Sequence, residues 1–542
     1  MKGSEMQENF ISLLYPNENS RDAHADGKSL PNISDDVCYE LGLEEIFDLK
    51  CGSLSNFFTK DEEVIAYRQR TLNDVVEIPE LSKTLSAVTP ILEDINELRR
   101  LDIETNASGE SYLYSITEIE LYVSCIDTLS RGLSPVREKI KSEAFSALAD
   151  FAIKLSQSEY YKELNKSLES LASRVHEVRS ITVGVNLDNQ LRPASAGVIS
   201  INSEQFKSGK VLDKILRFSF KNDAFTCIAD LSPFGKGQSE NRQEALVGAF
   251  NSAIEEVFRS SVKGWRAVVG EYVLDSTDFL LRLLPEIEFV TKSAELVSKL
   301  SSHPGCRMTV PKICPKEERA FRAVGIYNPR VALAIDDEIV TNDFMFDDDA
   351  HIYVLTGPNR GGKSVITVAV GASQALFQLG LPVPAESAEL SVVDAIFTHF
   401  PEGADDTIDK GRLGEECARL KEIFDSVTPD SMILLDESLS STGAYEASYI
   451  ASEILSGFAV LGCRGIFSTH LHELAASVPE INKRSEELGG IKIDTLVAGI
   501  EEGRRSFKIY RAKPDGKSYA RDIADKYGLS FDTLMQRIGK GD

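Results

Sequence analysis

The sequence predicts a mainly helical N-terminal part with a small β insertion, followed by a C-terminal α/β domain built around a phosphate-binding loop. Between Val64 and Ser180, apolar residues recur at helical spacing with few glycines, which is typical of long packed helices. Past residue 306, short apolar strands alternate with helical segments, the pattern of an α/β domain. In that second region, a strand runs into a loop with the spacing G-x-x-x-x-G-K-S.

The chain divides into three segments by these patterns. Residues 1–60 mix Asn, Ser, Asp and Gly with short apolar stretches, which predicts a partly ordered N-terminal arm. Residues 61–305 form the helical region, and the β-branched runs at 181–188 and 196–201 predict a strand insertion near 181–206. A linker with several prolines then leads into the α/β domain, residues 306–542.

Composition limits the classes of partner. With 59 Lys and Arg against 85 Asp and Glu, the net charge of −26 repels nucleic acid unless basic residues gather on one surface. The acidic opening lacks the pattern of a secretory signal, and no apolar stretch is long enough to cross a bilayer. The eight cysteines do not show metal-ligand or redox spacing. We therefore expect a reduced, cytoplasmic chain without a membrane partner.

The glycine-rich loop is the most specific motif. Such a loop wraps phosphate oxygens in backbone amides, while its lysine reaches the β and γ phosphates and its serine hydroxyl holds magnesium. We therefore predict ATP and Mg²⁺ as cofactors. The predicted nucleotide-binding residues of the loop are Gly357, Pro358, Asn359, Arg360, Gly361, Gly362, Lys363 and Ser364, of which Ser364 is also a metal ligand.

Two later strands end in residues that suit phosphate chemistry. The strand at 432–435 ends in Asp436 and Glu437; Asp436 is predicted to orient magnesium, and Glu437 to activate the attacking water. The strand at 465–469 delivers His470, which could contact the γ phosphate. The alternative for His470 is a buried histidine whose hydrogen bonds are satisfied within the fold.

These motifs resemble the MutS family. Residues 356–364 resemble that family's T-G-P-N-x-G-G-K-S, and residues 468–474 resemble its T-H-x-H-E-L. The resemblance implies an ABC-type P-loop ATPase domain after a helical core and lever, and it places Asn342 beside an adenine pocket. It further implies a homodimer in which a helix start of one subunit, here Leu413 and Gly414, faces the γ phosphate held by the other.

Three departures from the family pattern stand out. No F-x-E wedge motif occurs before residue 300, which predicts that mismatches are not read by the known wedge. The family's G-R-S-T-F is Gly-Arg-Leu-Gly-Glu at 411–415, so Leu413 replaces a hydroxyl that helps to bind phosphate. The segment after Glu437 also differs from the family's L-G-R-G-T. The last two departures predict slow hydrolysis.

A basic stripe is the one candidate nucleic-acid surface. If the segment is helical, its members lie on one face and would contact phosphates without reading bases. An ordinary solvated helix face explains the same spacing equally well. The stripe consists of Lys207, Lys210, Lys214, Arg217 and Lys221.

The sequence leaves two functions open. The preferred one is an ATP-dependent DNA-binding protein of repair or recombination that works as a dimer. The alternative is a nucleotide-switched assembly protein that acts on RNA, a ribosome or a protein partner, which the acidic charge and the absent wedge favour. A transporter ATPase is disfavoured because the motifs around the phosphate loop resemble MutS.

Overall fold

The structure of the chain is a computed structural model. The structure describes residues 10–50, 52–105, 112–176, 180–187, 189–190, 193–202, 229–231, 273–347, 350–358, 360–400, 412–501, 504–513, 527–529 and 533–534. It divides into two compact units. Unit 1 comprises Ile78–Lys141 and Phe145–Ile287 with the few residues before Ser12, and unit 2 comprises Ser12–Glu77, Ser142–Ala144 and Glu288–Asp542.

The α-helices and β-strands are numbered in chain order. The helices are α1 (Glu18–Ala25), α2 (Asp35–Glu40), α3 (Leu43–Ile46), α4 (Glu62–Glu77), α5 (Pro79–Thr105), α6 (Tyr112–Leu133), α7 (Glu143–Gln157), α8 (Glu159–His176), α9 (Val273–Ser302), α10 (Pro329–Ala334), α11 (Lys363–Gln378), α12 (Arg412–Ser426), α13 (Ala444–Leu461) and α14 (His472–Glu486). The strands are β1 (Ser180–Leu187), β2 (Pro193–Asn202), β3 (Ala229–Leu231), β4 (Met308–Thr309), β5 (Lys312–Ile313), β6 (Phe321–Ile326), β7 (Asn342–Phe346), β8 (Ile352–Thr356), β9 (Val383–Pro384), β10 (Ser387–Leu390), β11 (Ile396–His399), β12 (Met432–Asp436), β13 (Arg464–Ser468), β14 (Ile493–Glu501) and β15 (Arg504–Arg511).

Unit 1 is mainly helical. Helices α5 and α6 pack so closely that a Cβ at Gly132 would lie 2.2 Å from the Thr84 hydroxyl oxygen, which explains a glycine inside a helix. The apolar positions at helical spacing form the core, with Leu92 and Ile95 fully buried. The two β-branched runs are the antiparallel strands β1 and β2, and β3 pairs with β2.

Unit 2 is organised around a six-stranded sheet with the order β11-β12-β13-β8-β14-β15. The first five strands are parallel and β15 is antiparallel to β14. Strands β8, β12 and β13 are buried along their whole length, which matches the mostly apolar sequences of β8 and β12, whereas β13 also buries Arg464. Because these three strands are neighbours and parallel, their carboxyl ends meet at one edge of the sheet, where the candidate site lies. A second sheet has the order β5-β10-β6-β7.

The segment before α4 is part of unit 2. Its residue Asn32 forms a parallel bridge to Ala395, donating its amide to the Asp394 carbonyl at 2.7 Å and accepting from the Ile396 amide at 3.2 Å. This bridge lies beside the sheet strand β11. Leu43 and Phe58 are fully buried. The composition predicts only a partly ordered arm here, whereas the described residues from Ser12 pack within the α/β unit; the proposed boundaries at 60 and 305 stay predictions.

Within the described ranges, no helix has the length and apolar character needed to cross a membrane.

Candidate nucleotide site

The loop between β8 and α11 has the backbone that its glycines allow. Gly357 and Gly362 have φ angles of 140° and 94°, values that residues with a Cβ rarely adopt. A Cβ at Gly357 would also lie 2.7 Å from the Ala498 Cβ, on the neighbouring strand β14. Gly362 is the N-cap of α11, so the loop passes directly into the helix amino terminus. Such a turn presents backbone amides to an anion.

Lys363 lies inside this loop. Its side chain is only 4 % exposed, and its Nζ donates to the carbonyl oxygens of Gly357 and Pro358, both at 3.2 Å. Burial lowers the pKa of this amine, and the nearby carboxylates of Glu437 and Asp436 oppose that shift. The lysine therefore closes the loop on itself while facing two acids at the end of β12. This fits a phosphate group, which would give the buried ammonium an anionic partner.

Asp436 is a buried carboxylate at the end of β12. Burial raises its pKa, and the hydroxyl groups of Ser364 and Ser468 oppose the shift. Its Oδ1 atom has no hydrogen-bond partner among the described residues. An incompletely satisfied carboxylate near a serine hydroxyl fits Mg²⁺, which binds through one or two protein oxygens and takes phosphates and water for the rest. No group of three or more His, Cys, Asp or Glu side chains that could by themselves hold a metal ion occurs in the described part of the chain.

Glu437 and His470 follow two adjacent strands. Glu437 is half-buried, has a φ of 47°, and its backbone amide donates to the Ser468 carbonyl at 2.8 Å. His470 comes two residues after the end of β13 and is exposed, which argues against its reading as a buried structural histidine. The parallel strands thus bring the loop, Asp436, Glu437 and His470 to one sheet edge, and their chemical roles stay predictions.

A cavity of about 240 Å³ adjoins the start of α11. Asn342 lies in its wall, as the resemblance implies for an adenine pocket. The Asn342 amide already holds β15, since its Nδ2 donates to the Phe507 carbonyl at 3.2 Å and its Oδ1 accepts from the Ile509 amide at 2.8 Å. The wall also includes Tyr327, Gly362, Val365, Ile366 and Phe507.

Local sequence spacing could not predict which aromatic residues line the cavity. Tyr327 follows β6, whereas Phe507 belongs to β15, about 180 positions away. Phe507 has a φ of 57° and its side chain is 46 % exposed. A half-exposed aromatic ring at a cavity beside the predicted phosphate loop suits stacking on a planar base.

The predicted trans-acting residues lie at the first turn of α12. The Leu413 side chain is partly buried and packs against the hydrophobic core of its own unit. Gly414 is exposed, and a Cβ there would meet no atom within 4 Å. The Leu413 side chain therefore contributes to the core of its own unit, while the backbone near Gly414 is exposed to solvent.

Several predicted residues lie outside the described part of the chain. These are Asn359 of the loop and the whole basic stripe from Lys207 to Lys221.

Comparison with known proteins confirms the resemblance to the MutS family. Residues 353–513 match the family model of MutS domain V, and residues 60–303 match that of the MutS2 N-terminal domain. The chain is 32 % identical over 221 residues to the DNA mismatch repair protein MutS of Roseiflexus castenholzii, covering 39 % of this chain and 19 % of the relative. It is 31 % identical over 294 residues to that of Leptospira interrogans, covering 51 % of this chain and 31 % of the relative. The matches thus span less than a third of these relatives.

Proposed function

We propose that this MutS-related chain binds and slowly hydrolyses ATP with Mg²⁺, works as a homodimer, and couples its nucleotide state to DNA binding in repair or recombination. The observation that carries the ATPase part is the position of Lys363, which lies buried in a glycine loop and within electrostatic reach of Asp436 and Glu437. Few arrangements other than phosphate binding would keep an amine there at the amino terminus of a helix.

Nucleotide binding is divided between the loop and the cavity. The Gly362 amide and the Lys363 ammonium bind the phosphates, and Arg360 and Asn359 complete the loop. The cavity takes the base, with Phe507 as a stacking surface and Asn342 holding β15 in place. The apolar residues Val365 and Ile366 exclude water from the base.

Hydrolysis requires a base beside the terminal phosphate. Ser364 and Asp436 would hold Mg²⁺, which would supply charge neutralisation at the phosphates. Glu437 accepts a proton from water as the water oxygen attacks the γ phosphorus and the bond to the bridging oxygen breaks, which releases ADP and phosphate. His470 donates a hydrogen bond to the terminal phosphate.

The second subunit contributes fewer hydrogen-bond donors to the γ phosphate than it would if a serine stood at the position of Leu413. Leu413 has no hydroxyl, and its side chain packs within its own unit. Contact with the nucleotide of the partner then falls to backbone amides near Gly414, at the positive end of α12. A site with fewer donors for developing charge favours slow turnover and a long-lived ATP-bound dimer.

DNA as the ligand is supported by the named relatives, which are DNA mismatch repair proteins. A nucleotide-switched assembly protein that acts on RNA, a ribosome or a protein is the second candidate, and the net charge of −26 favours it. Binding to duplex, branched and single-stranded DNA and to structured RNA, measured across a salt series, distinguishes the two. Tighter binding to structured RNA than to every DNA would favour the second candidate.

Calorimetry with Mg²⁺ and ATP tests the site itself. Lys363→Ala should lose at least tenfold in affinity, because a charge-assisted contact contributes roughly 1.5–3 kcal/mol. Lys483→Ala, an exposed lysine on α14, is the matched control and should bind like the wild type. Equal affinity for wild type and Lys363→Ala would contradict the proposed site.

A further inference from the structure

The turn after β12 is held in an unusual backbone conformation. Glu437 and Leu439 have φ angles of 47° and 65°, in the left-handed region that residues other than glycine rarely occupy. Such residues persist only where the surrounding structure fixes them, and they concentrate at functional sites. The turn carries Glu437, so whatever fixes the turn also directs this carboxylate.

Three contacts fix the turn. The Glu437 amide donates to the Ser468 carbonyl at 2.8 Å, and the Leu439 side chain is fully buried in the core of the unit. Between them, Ser438 is 4 % exposed, and its Oγ lies 2.8 Å from the Nδ1 of His399 and 3.3 Å from the His399 carbonyl oxygen. The Ser438 hydroxyl therefore ties the turn to the last residue of the adjacent strand β11.

His399, the partner in this contact, is a buried strand residue. It pairs in register with Leu435 of β12, and its side chain is 4 % exposed. Burial, together with the charge of Arg419, lowers its pKa to about 4, so the ring is neutral near pH 7 and carries a single N–H. The Ser438 hydroxyl has one proton. If it donates that proton to the His399 carbonyl oxygen, the single ring N–H of His399 must be on Nδ1, which then donates to the Ser438 Oγ.

We propose that His399 and Ser438 form a clamp of two positioning residues, which holds Glu437 in its left-handed conformation and aims its carboxylate at the phosphate loop. The clamp rests on the proposed role of Glu437 in hydrolysis. It acts on the placement of one carboxylate and on no group that binds the nucleotide. Loss of the clamp should therefore slow turnover while nucleotide affinity stays the same.

Steady-state kinetics tests the clamp with small substitutions. Ser438→Ala and His399→Leu should each lower kcat about tenfold or more, with KM for ATP and affinity for ADP within about twofold of wild type. His399→Asn keeps an amide group close to the position of Nδ1 and should retain most of the wild-type kcat. Ser440→Ala, an exposed serine of the same turn, is the control and should leave all constants unchanged.

Hydrogen exchange gives a second measurement that does not depend on turnover. In nucleotide-free protein, Ser438→Ala should speed amide exchange in residues 437–440, while Ser440→Ala should not. A kcat for Ser438→Ala equal to that of an active wild type would overturn the clamp alone. A wild type that binds no ATP or never turns it over would instead overturn the proposed function, and the positioning role with it.

Discussion

Leu41 fills a notch that Gly371 leaves in helix α11. A Cβ at Gly371 would lie 2.5 Å from the Leu41 Cδ2 and 2.4 Å from the Leu434 Cδ1, so the glycine admits both side chains. Leu434 belongs to β12, two residues before Asp436. The N-terminal segment of unit 2 thus packs against α11, which follows the predicted phosphate loop, and against β12, which ends in the acidic pair. A second contact is the ion pair of Glu40 with Arg419 of α12, at 2.5 Å.

The first prediction concerns this notch. Leu41→Ala should destabilise unit 2 by roughly 2–5 kcal/mol, because Leu41 is 1 % exposed and its removal leaves a cavity. Gly371→Ala should cost roughly 1–3 kcal/mol through overcrowding. Denaturant unfolding measures both, with Val460→Ala, a 40 % exposed residue of α13, as the control. The double variant should lose less free energy of unfolding than the two single variants lose together, because Leu41→Ala makes room for the added methyl group. A loss equal to the sum of the two would contradict the contact between Leu41 and Gly371.

The second prediction is a pH dependence of stability from His399. Its folded pKa of about 4 lies below the ordinary value of 6.5, so the unfolded chain binds this proton more readily. The stability contributed by the neutral ring is complete above pH 6.5 and is lost as the pH falls towards 4, by up to roughly 3 kcal/mol.

Comparison of wild type with His399→Asn isolates this effect, because all other titrating groups are shared. Denaturant unfolding at pH 7.5, 6, 5 and 4.5 should show a steeper loss for the wild type. Parallel curves for the two proteins would show that His399 titrates normally.

The third prediction is that the ATP-binding site is completed by a second subunit. Glu437→Gln should bind ATP and hold it, because the substituted amide cannot accept the proton of the attacking water. Light scattering should then show a doubled mass in saturating ATP and Mg²⁺. The double variant Glu437→Gln with Lys363→Ala is the control and should not respond to ATP. A Glu437→Gln protein that stays monomeric with ATP bound would contradict the trans arrangement.

The fourth prediction is that a mispair does not tighten DNA binding. No F-x-E wedge occurs before residue 300. The basic stripe, if it binds DNA, is predicted to contact phosphates without reading bases. Matched duplex and duplex with a single mispair should bind within about twofold of each other in fluorescence anisotropy. A marked preference for the mispair would show that mismatches are read by other residues.

Charge reversal at Lys210, Lys214 and Arg217 tests the stripe in the same assay. Affinity should fall about equally for all sequences, and the salt dependence should flatten by roughly one unit of slope per lost contact. Reversal at Lys421, Lys483 and Lys492, three exposed lysines of unit 2, is the control. Unchanged DNA affinity in the charge-reversed variant would show that the stripe does not bind DNA and is an ordinary solvated surface.

Local spacing is the basis for predicting a phosphate loop and an acidic pair at the end of β12. A strand that runs into G-x-x-x-x-G-K-S, and a second apolar strand that ends in Asp436 and Glu437, are short-range patterns in which each residue type is required by nearby backbone geometry. The same holds for the helices of unit 1 and for the pairing of β1 with β2, where periodicity reflects burial of one face. The motif resemblance to the MutS family was also visible in these short patterns.

Tertiary structure alone decided the contacts between distant segments. The cavity wall brings Tyr327, which follows β6, together with Phe507 of β15, although the two strands belong to different sheets. His399 lies beside Ser438 because β11 and β12 are parallel neighbours. For the residues after Ser12, composition predicts a partly ordered arm, whereas in the structure apolar side chains such as Leu41 are buried against α11 and β12, which lie far along the chain. The spacing of apolar residues in the sequence predicts which side chains are buried. It does not predict which surface buries them, because that surface is formed by distant segments in the folded chain.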